Sequence, residues 1–154
     1  MHIIEDTGQK LGQHTIKNDA FSSMNVSVIR NKLPFGDYAL PPTVAVDTKR
    51  NMEEIAGNIC GSKKEHIRFK NECINAKEAG CKLYFLIENE ENIRTIDDVH
   101  TWVNPECIYH PQVVQGPRLE KAMKTMQERY GCTFLFCNPQ ESAEIIIKIL
   151  TGGE

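Results

Sequence analysis

The run Leu83-Tyr84-Phe85-Leu86-Ile87, closed by Lys82 and Glu88, constrains the fold more than any other segment. Five apolar residues in succession show neither strand alternation nor a helical period. A strand reads this way when both of its faces are buried, which is the situation of a parallel sheet covered by helices on each side. The neighbouring segments agree. Cys132 to Cys137 is a second such strand. Before it, Pro117 to Tyr130 sets Leu119, Ala122, Met123, Met126 and Tyr130 on one helical face, with Gly131 as the stop.

The rest of the chain alternates in the same manner. His2 to Asp6 reads as a short strand, residues 18 to 24 as a short helix, and Val26 to Ile29 as a β-branched strand. Gly36 to Leu40 and Thr43 to Lys49 flank Pro41-Pro42, which predicts a hairpin. Asn51 opens a helix with Met52, Ile55, Ala56 and Ile59 on one face, ending at Gly61. Glu65 to Ala79 forms a further helix stopped by Gly80, and Gln140 to Leu150 a last one. The expectation is an α/β fold in three layers, α/β/α, with a mixed central sheet and one domain over residues 1–154.

Several function classes drop out. No apolar run approaches the roughly 18 to 20 residues of a membrane helix, so no membrane is expected. Met1-His2-Ile3-Ile4-Glu5-Asp6 lacks a basic start and a long apolar stretch, and is not a secretory signal. The six cysteines form no CxxC pair, which argues against structural zinc and for free thiols in a reducing, cytoplasmic compartment. Neither a nucleophile elbow nor a Walker A sequence is present, so a serine hydrolase and an ATP-driven motor are not expected. The formal net charge is −3, unevenly spread: Cys60 to Lys82 carries six Lys/Arg against three Glu, and Leu86 to Val99 five acids against Arg94.

The chemistry concentrates in the hairpin. On the second strand Asp47 and Lys49 share one face, while Val44, Val46 and Thr48 share the other. A tight turn brings Asp37 back beside Asp47. Two close carboxylates repel unless a cation joins them. Two acids and a lysine at one sheet edge suit metal-assisted phosphodiester hydrolysis: carboxylate oxygens hold Mg²⁺, and the lysine orients or helps deprotonate the attacking water.

The longer pattern resembles the XPF-type nuclease domain of the PD-(D/E)XK, restriction-endonuclease-like superfamily. Gly36-Asp37, nine residues, Asp47-Thr48-Lys49, three residues and Glu53 match its Gly-Asp, Glu-Arg-Lys and Asp signature. Leu33-Pro34-Phe35 before Gly36, Ile3-Ile4-Glu5-Asp6-Thr7, Arg68-Phe69, Glu72-Cys73 and Leu83 to Glu88 are similar to the family's flanking segments. Three positions depart from it: Asp47 replaces a glutamate, Thr48 an arginine and Glu53 an aspartate. Gly8-Gln9-Lys10, after Asp6-Thr7, also stands where many relatives have an arginine and an acid.

The resemblance implies a restriction-endonuclease-like core and a Mg²⁺-dependent DNA endonuclease, with Mn²⁺ able to substitute, structure-specific in repair or recombination. It implies Asp37, Asp47 and Lys49 as catalytic residues and Asp6, Asp37, Asp47 and the Thr48 carbonyl as metal ligands. Glu53, Arg68 and Glu72 support the site. Lys63, Lys64 and Arg68 contact DNA, with Lys63, Lys64 and His66 read as a Gly-Ser loop before the helix. Glu5 alternates away from the site, and the single tryptophan, Trp102, packs in the core. The alternative is an inactive nuclease-fold module that binds DNA or a partner. The apolar excess of Leu119, Met123, Met126 and Ile145-Ile146-Ile147 further suggests a homodimer, with an unseen protein partner as the other way to complete the DNA footprint.

Overall fold

The computed structural model describes residues 1–10, 12–40 and 43–152. The proline pair of the expected hairpin turn lies outside the described residues. Six strands form one sheet: β1 (His2–Asp6), β2 (Ser27–Asn31), β3 (Tyr38–Leu40), β4 (Val44–Lys49), β5 (Lys82–Glu88) and β6 (Thr133–Cys137). Their spatial order is β2-β1-β3-β4-β5-β6. β3 runs antiparallel to β1 and β4, and the remaining pairs are parallel, so the sheet is mixed as expected. β5 lies between β4 and β6, with Phe85, Leu86 and Ile87 fully buried, which explains its unbroken apolar run.

The helices are α1 (Thr15–Ser23), α2 (Met52–Cys60), α3 (Lys63–Glu78), α4 (Gly116–Tyr130) and α5 (Ser142–Thr151). α2, α3 and α4 cover one face, where Ile55, Phe69 and Met123 pack on Ala45, Phe85 and Phe134. α1 and α5 cover the other, where Phe21 and Ile146 join Ile3, Tyr38, Val46 and Leu86. The three layers follow from β4 and β5 presenting apolar side chains alternately to two helical layers.

Two boundaries differ from the sequence reading in ways that matter. α1 begins at Thr15, so His14 and Lys17 belong to its first turns. α3 begins at Lys63, because the Ser62 hydroxyl accepts the Glu65 N–H at 3.2 Å and caps the helix. Lys63, Lys64 and His66 are therefore helical and not in a loop. The apolar excess in the C-terminal third is consumed internally: Leu119, Met123, Met126, Ile146 and Leu150 are buried, while Ile145 and Ile147 pack partly buried against the α1–α5 side. Most of the residues expected to meet a second chain are thus core residues, and Ile145 and Ile147 are half-buried. Trp102 is buried, as expected. All six cysteines are free, with Cys73, Cys132 and Cys137 buried. Among the described residues no helix is long and apolar enough to cross a membrane.

Candidate active site

Gly36 sets the site's geometry. Its φ of +69° lies in the left-handed region, and a Cβ there would stand 2.9 Å from the Val46 carbonyl oxygen. Glycine alone permits that approach without strain. The next residue, Asp37, is pinned from both sides. Its N–H donates to the Val46 carbonyl at 2.7 Å, and its own carbonyl accepts the Asp6 N–H at 2.8 Å. The Asp37 carboxylate then faces Thr48, whose backbone N–H and hydroxyl both donate to Oδ2, at 2.7 and 2.8 Å. Thr48, where the resemblance predicts an arginine, carries no charge and supplies a hydroxyl that fixes Asp37.

Asp47 and Lys49 lie on the same face of β4 as Ala45, toward α3, as the strand alternation predicts. Lys49 Nζ stands 3.0 Å from the buried Asp47 Oδ1, and the ammonium is that oxygen's partner. The ammonium also sits 5.7 Å from the Phe69 ring centroid and 5.9 Å from that of Phe85, so the aromatics of α3 and β5 hold it in place. Burial pushes the Asp47 carboxyl well above the usual carboxylate range. Lys49 opposes that shift, and the negative charges of Asp37 and Glu72 add to it. For Lys49, burial works against the charged form, but Asp47, Glu54 and Glu72 more than offset it and raise its pKa. The cluster is short of positive charge.

Asp37, Asp47, Thr48 and Lys49 line one cleft of about 490 Å³ at the carboxyl ends of β4 and β5. Open α/β sheets place ligands at that end of their parallel strands. The rest of the lining includes residues the sequence reading did not assign to the site: Gln9, His14, Lys17, Glu54 and Glu88. Lys17 Nζ pairs with Glu88 Oε2 at 2.8 Å and lies 3.3 Å from His14 Nδ1, and both members of the ion pair are buried. Burial and the adjacent Lys17 charge push the His14 pKa down, which favours a neutral ring with Nδ1 as acceptor. The available signal was Glu88, a charged residue ending a buried strand at its carboxyl end.

The remaining expected site residues fall as follows. Glu72 backs the site, accepting the Gly36 N–H at 3.3 Å. Asp6 lies beside Asp37 through the backbone, but its Oδ1 accepts the Leu33 N–H at 2.9 Å, holding the segment before Gly36. Its carboxylate is not part of the cleft lining. Glu53 faces away, in a separate depression with Arg50 and Tyr109, and Glu54 takes the position beside the cleft. Arg68 is largely exposed and meets Glu65 at 3.8 Å, not Glu72. Lys63 lines a different groove, between α3 and α4, and Lys64 is exposed. Glu5 is buried on the opposite face and paired with Arg30 at 2.7 Å, consistent with its alternation. Among the described residues no three His, Cys, Asp or Glu side chains converge as metal ligands, so two carboxylates and a backbone carbonyl are the donor set to consider.

Comparison with known proteins bears on this geometry. The family model described as the ERCC4 domain matches residues 6–149. XPF from Aeropyrum pernix superimposes with a TM-score of 0.67 at 17% identity, over 98% of this chain and 60% of that one. A second structure of XPF from the same organism, in complex with DNA, gives a TM-score of 0.67 at 16% identity, over 97% of this chain and 63% of that one. The chain therefore spans under two thirds of the length of these solved relatives. No curated protein matches it.

Proposed function

The chain belongs to the ERCC4 domain family, and from that premise we propose that it is an endonuclease hydrolysing DNA phosphodiester bonds with a divalent cation, Mg²⁺ or in its place Mn²⁺. The observation that carries the reading is the convergence of Asp37, Asp47 and Lys49 in one cleft, with a buried Asp47 carboxylate crowded by other acids and met by a single cation, Lys49. A buried acceptor beside two further acids, Asp37 and Glu72, is a place a hard cation fits. Both hydrogen bonds to the Asp37 carboxylate fall on Oδ2, and none among the described residues reaches Oδ1.

Asp37, Asp47 and the Thr48 carbonyl are the residues that would hold the ion. Bound there, it would neutralise phosphate charge and lower the pKa of a coordinated water. The chain's own contribution is mostly positional. Thr48 locks one oxygen of Asp37 and leaves the other to a ligand. Glu72 and Gly36 hold the turn that presents Asp37. Lys49, held against Asp47 and the rings of Phe69 and Phe85, is placed to orient the attacking water and stabilise charge developing on the phosphate. The buried Lys17–Glu88 pair stiffens the rest of the lining.

The test is Mg²⁺-dependent cleavage of supercoiled plasmid and of plain, flapped and branched duplexes, with Lys49→Ala as control. The expected result is cleavage by the unaltered protein that is lost in the variant and on chelation. Absence of cleavage on every substrate in Mg²⁺ and Mn²⁺ would overturn the reading.

A further inference from the structure

The groove between α3 and α4, about 590 Å³ in volume, is a larger recess than the catalytic cleft. Its floor is apolar, built by Ile59, Ala122, Met126 and Tyr130, and its walls carry Lys63, His66, Arg118, Lys121 and Arg129. No aspartate or glutamate lines it, although the chain has 21 acids to 18 Lys and Arg. The four lysines and arginines of the groove form no ion pair among the described residues. Other cations without a carboxylate partner among the described residues, such as Lys10, Lys32 and Lys64, do not line this groove; here four are gathered in one recess with no acid among the lining residues. Unpaired cations gathered in one recess of an acidic chain repel one another, and an anion relieves that cost.

Further features point the same way. The start of α3, with its orphan backbone N–H groups, opens at the groove beside Gly61 and Ser62. Its first turn is fixed by His66, whose Nδ1 lies 2.8 Å from the Ile59 carbonyl oxygen. On α4, Arg118, Lys121 and Arg129 share one helical face, so the charges form a line and not a point. A line of cations suits a polymer of phosphates better than a single small anion.

We propose that this groove binds the phosphodiester backbone of DNA, outside the cleavage cleft. The proposal rests on the nuclease reading for the identity of the polyanion. α3 connects the two sites: Lys63 lies at the groove and Glu72 behind Asp37 and Asp47, about 13 Å apart along the helix axis at 1.5 Å per residue. That separation is short on the scale of a duplex, in which the phosphates of one strand recur about every 3.4 Å. Contacts of this kind hold and orient without reading sequence.

The experiment is equilibrium binding of a fluorescent 24-base-pair duplex in EDTA, followed by anisotropy from roughly 50 to 200 mM salt. The unaltered protein is compared with the triple variant Arg118→Ala, Lys121→Ala, Arg129→Ala. A second triple variant, Lys82→Ala, Lys124→Ala, Lys148→Ala, changes net charge equally at exposed positions outside the groove. Each lost phosphate contact lowers the salt slope by about 0.9, so the groove variant should lose roughly 2 to 3 in slope and at least about tenfold in affinity. The control should stay near the unaltered protein. Circular dichroism and melting report folding. If the triple variant does not fold, Lys121→Gln alone should lower the slope by about 0.9. An unchanged slope, or an equal loss in the control, overturns the proposal. So does a groove substitution that dissociates a dimer in sedimentation without changing the DNA slope, because the occupant is then a second copy. Cleavage in Mg²⁺ by the unaltered protein separates the two readings: cleavage with an unchanged slope refutes the groove alone, and a slope change without cleavage refutes the nuclease alone.

Discussion

Replacing Asp37 with asparagine should abolish cleavage while leaving the metal-free fold nearly as stable as before. The side chain keeps its shape, and an amide oxygen can still accept from the Thr48 N–H and hydroxyl, now at 2.7 and 2.8 Å from Oδ2. Both bonds lose their charge assistance, at a cost of about 1 kcal/mol each. Against that, a negative charge beside buried Asp47 is removed. The repulsion relieved is about 1 to 3 kcal/mol for charges several ångströms apart at an effective dielectric constant near 20 to 40. The two effects nearly cancel, and a residue of about 1 kcal/mol moves the melting temperature by about 2 to 4 °C for a chain of this size. Function has no such compensation. Loss of an outer-sphere partner already costs about 10- to 100-fold in metal sites, so loss of a direct ligand should cost at least about 100-fold in cleavage. The assay pairs plasmid nicking with thermal melting at increasing Mg²⁺. The unaltered protein should gain about 1.4 kcal/mol at a cation concentration of about ten times Kd, and the variant should gain nothing. Mg²⁺-dependent nicking or a Mg²⁺-induced rise in melting temperature that survives in the variant would refute the assignment of Asp37 as a ligand.

Lys49→Met should separate binding from chemistry: the Mg²⁺-induced rise in melting temperature persists, cleavage is lost, and the metal-free protein weakens because Asp47 is left buried and unpaired, by up to about 3 kcal/mol. Gly36→Ala should cost about 1 to 3 kcal/mol and reduce cleavage, since its φ of +69° and the 2.9 Å approach to Val46 O admit no Cβ; urea unfolding and nicking measured together check this. Burial, with the charges of Glu88 and Glu141, pushes the Cys137 thiol from 9.0 up to about 12. Its contribution to stability is therefore intact below pH 9. It declines from there to about pH 12 by up to about 1.4 kcal/mol per unit, because the unfolded chain ionises first. Urea midpoints at pH 8 and 10 should show that decline, smaller in Cys137→Ala. In the native protein, a thiol reagent should modify half-exposed Cys60, Cys81 and Cys107 before buried Cys73, Cys132 and Cys137.

The local code of this chain carried a large part of the answer. An apolar run without period fixed β5 as a strand buried on both faces, and alternation along β4 put Asp47 and Lys49 together, away from Val46. The spacing from Gly36-Asp37 to Lys49 was legible because a hairpin is a local object: a few residues set which side chains lie opposite one another. The rest of the cleft lining was not legible. Gln9, His14 and Lys17 meet Glu88 only because α1 packs across the sheet from β5, a contact over some seventy positions that no periodicity encodes. Tertiary context likewise decided between near neighbours. Glu54 faces the cleft and Glu53 does not, since the helix begins at Met52 and a turn of 100° per residue separates them. Asp6 was placed on the correct strand, but its carboxylate is engaged by the Leu33 N–H, a partner set by how the chain crosses from β2 to β3. The wide apolar face of α5 could be read from sequence as an interface or as core. Ile146 is buried and Ile145 and Ile147 are partly buried against the α1–α5 side of the sheet, because one layer of a three-layer fold needs a broad apolar face to cover it.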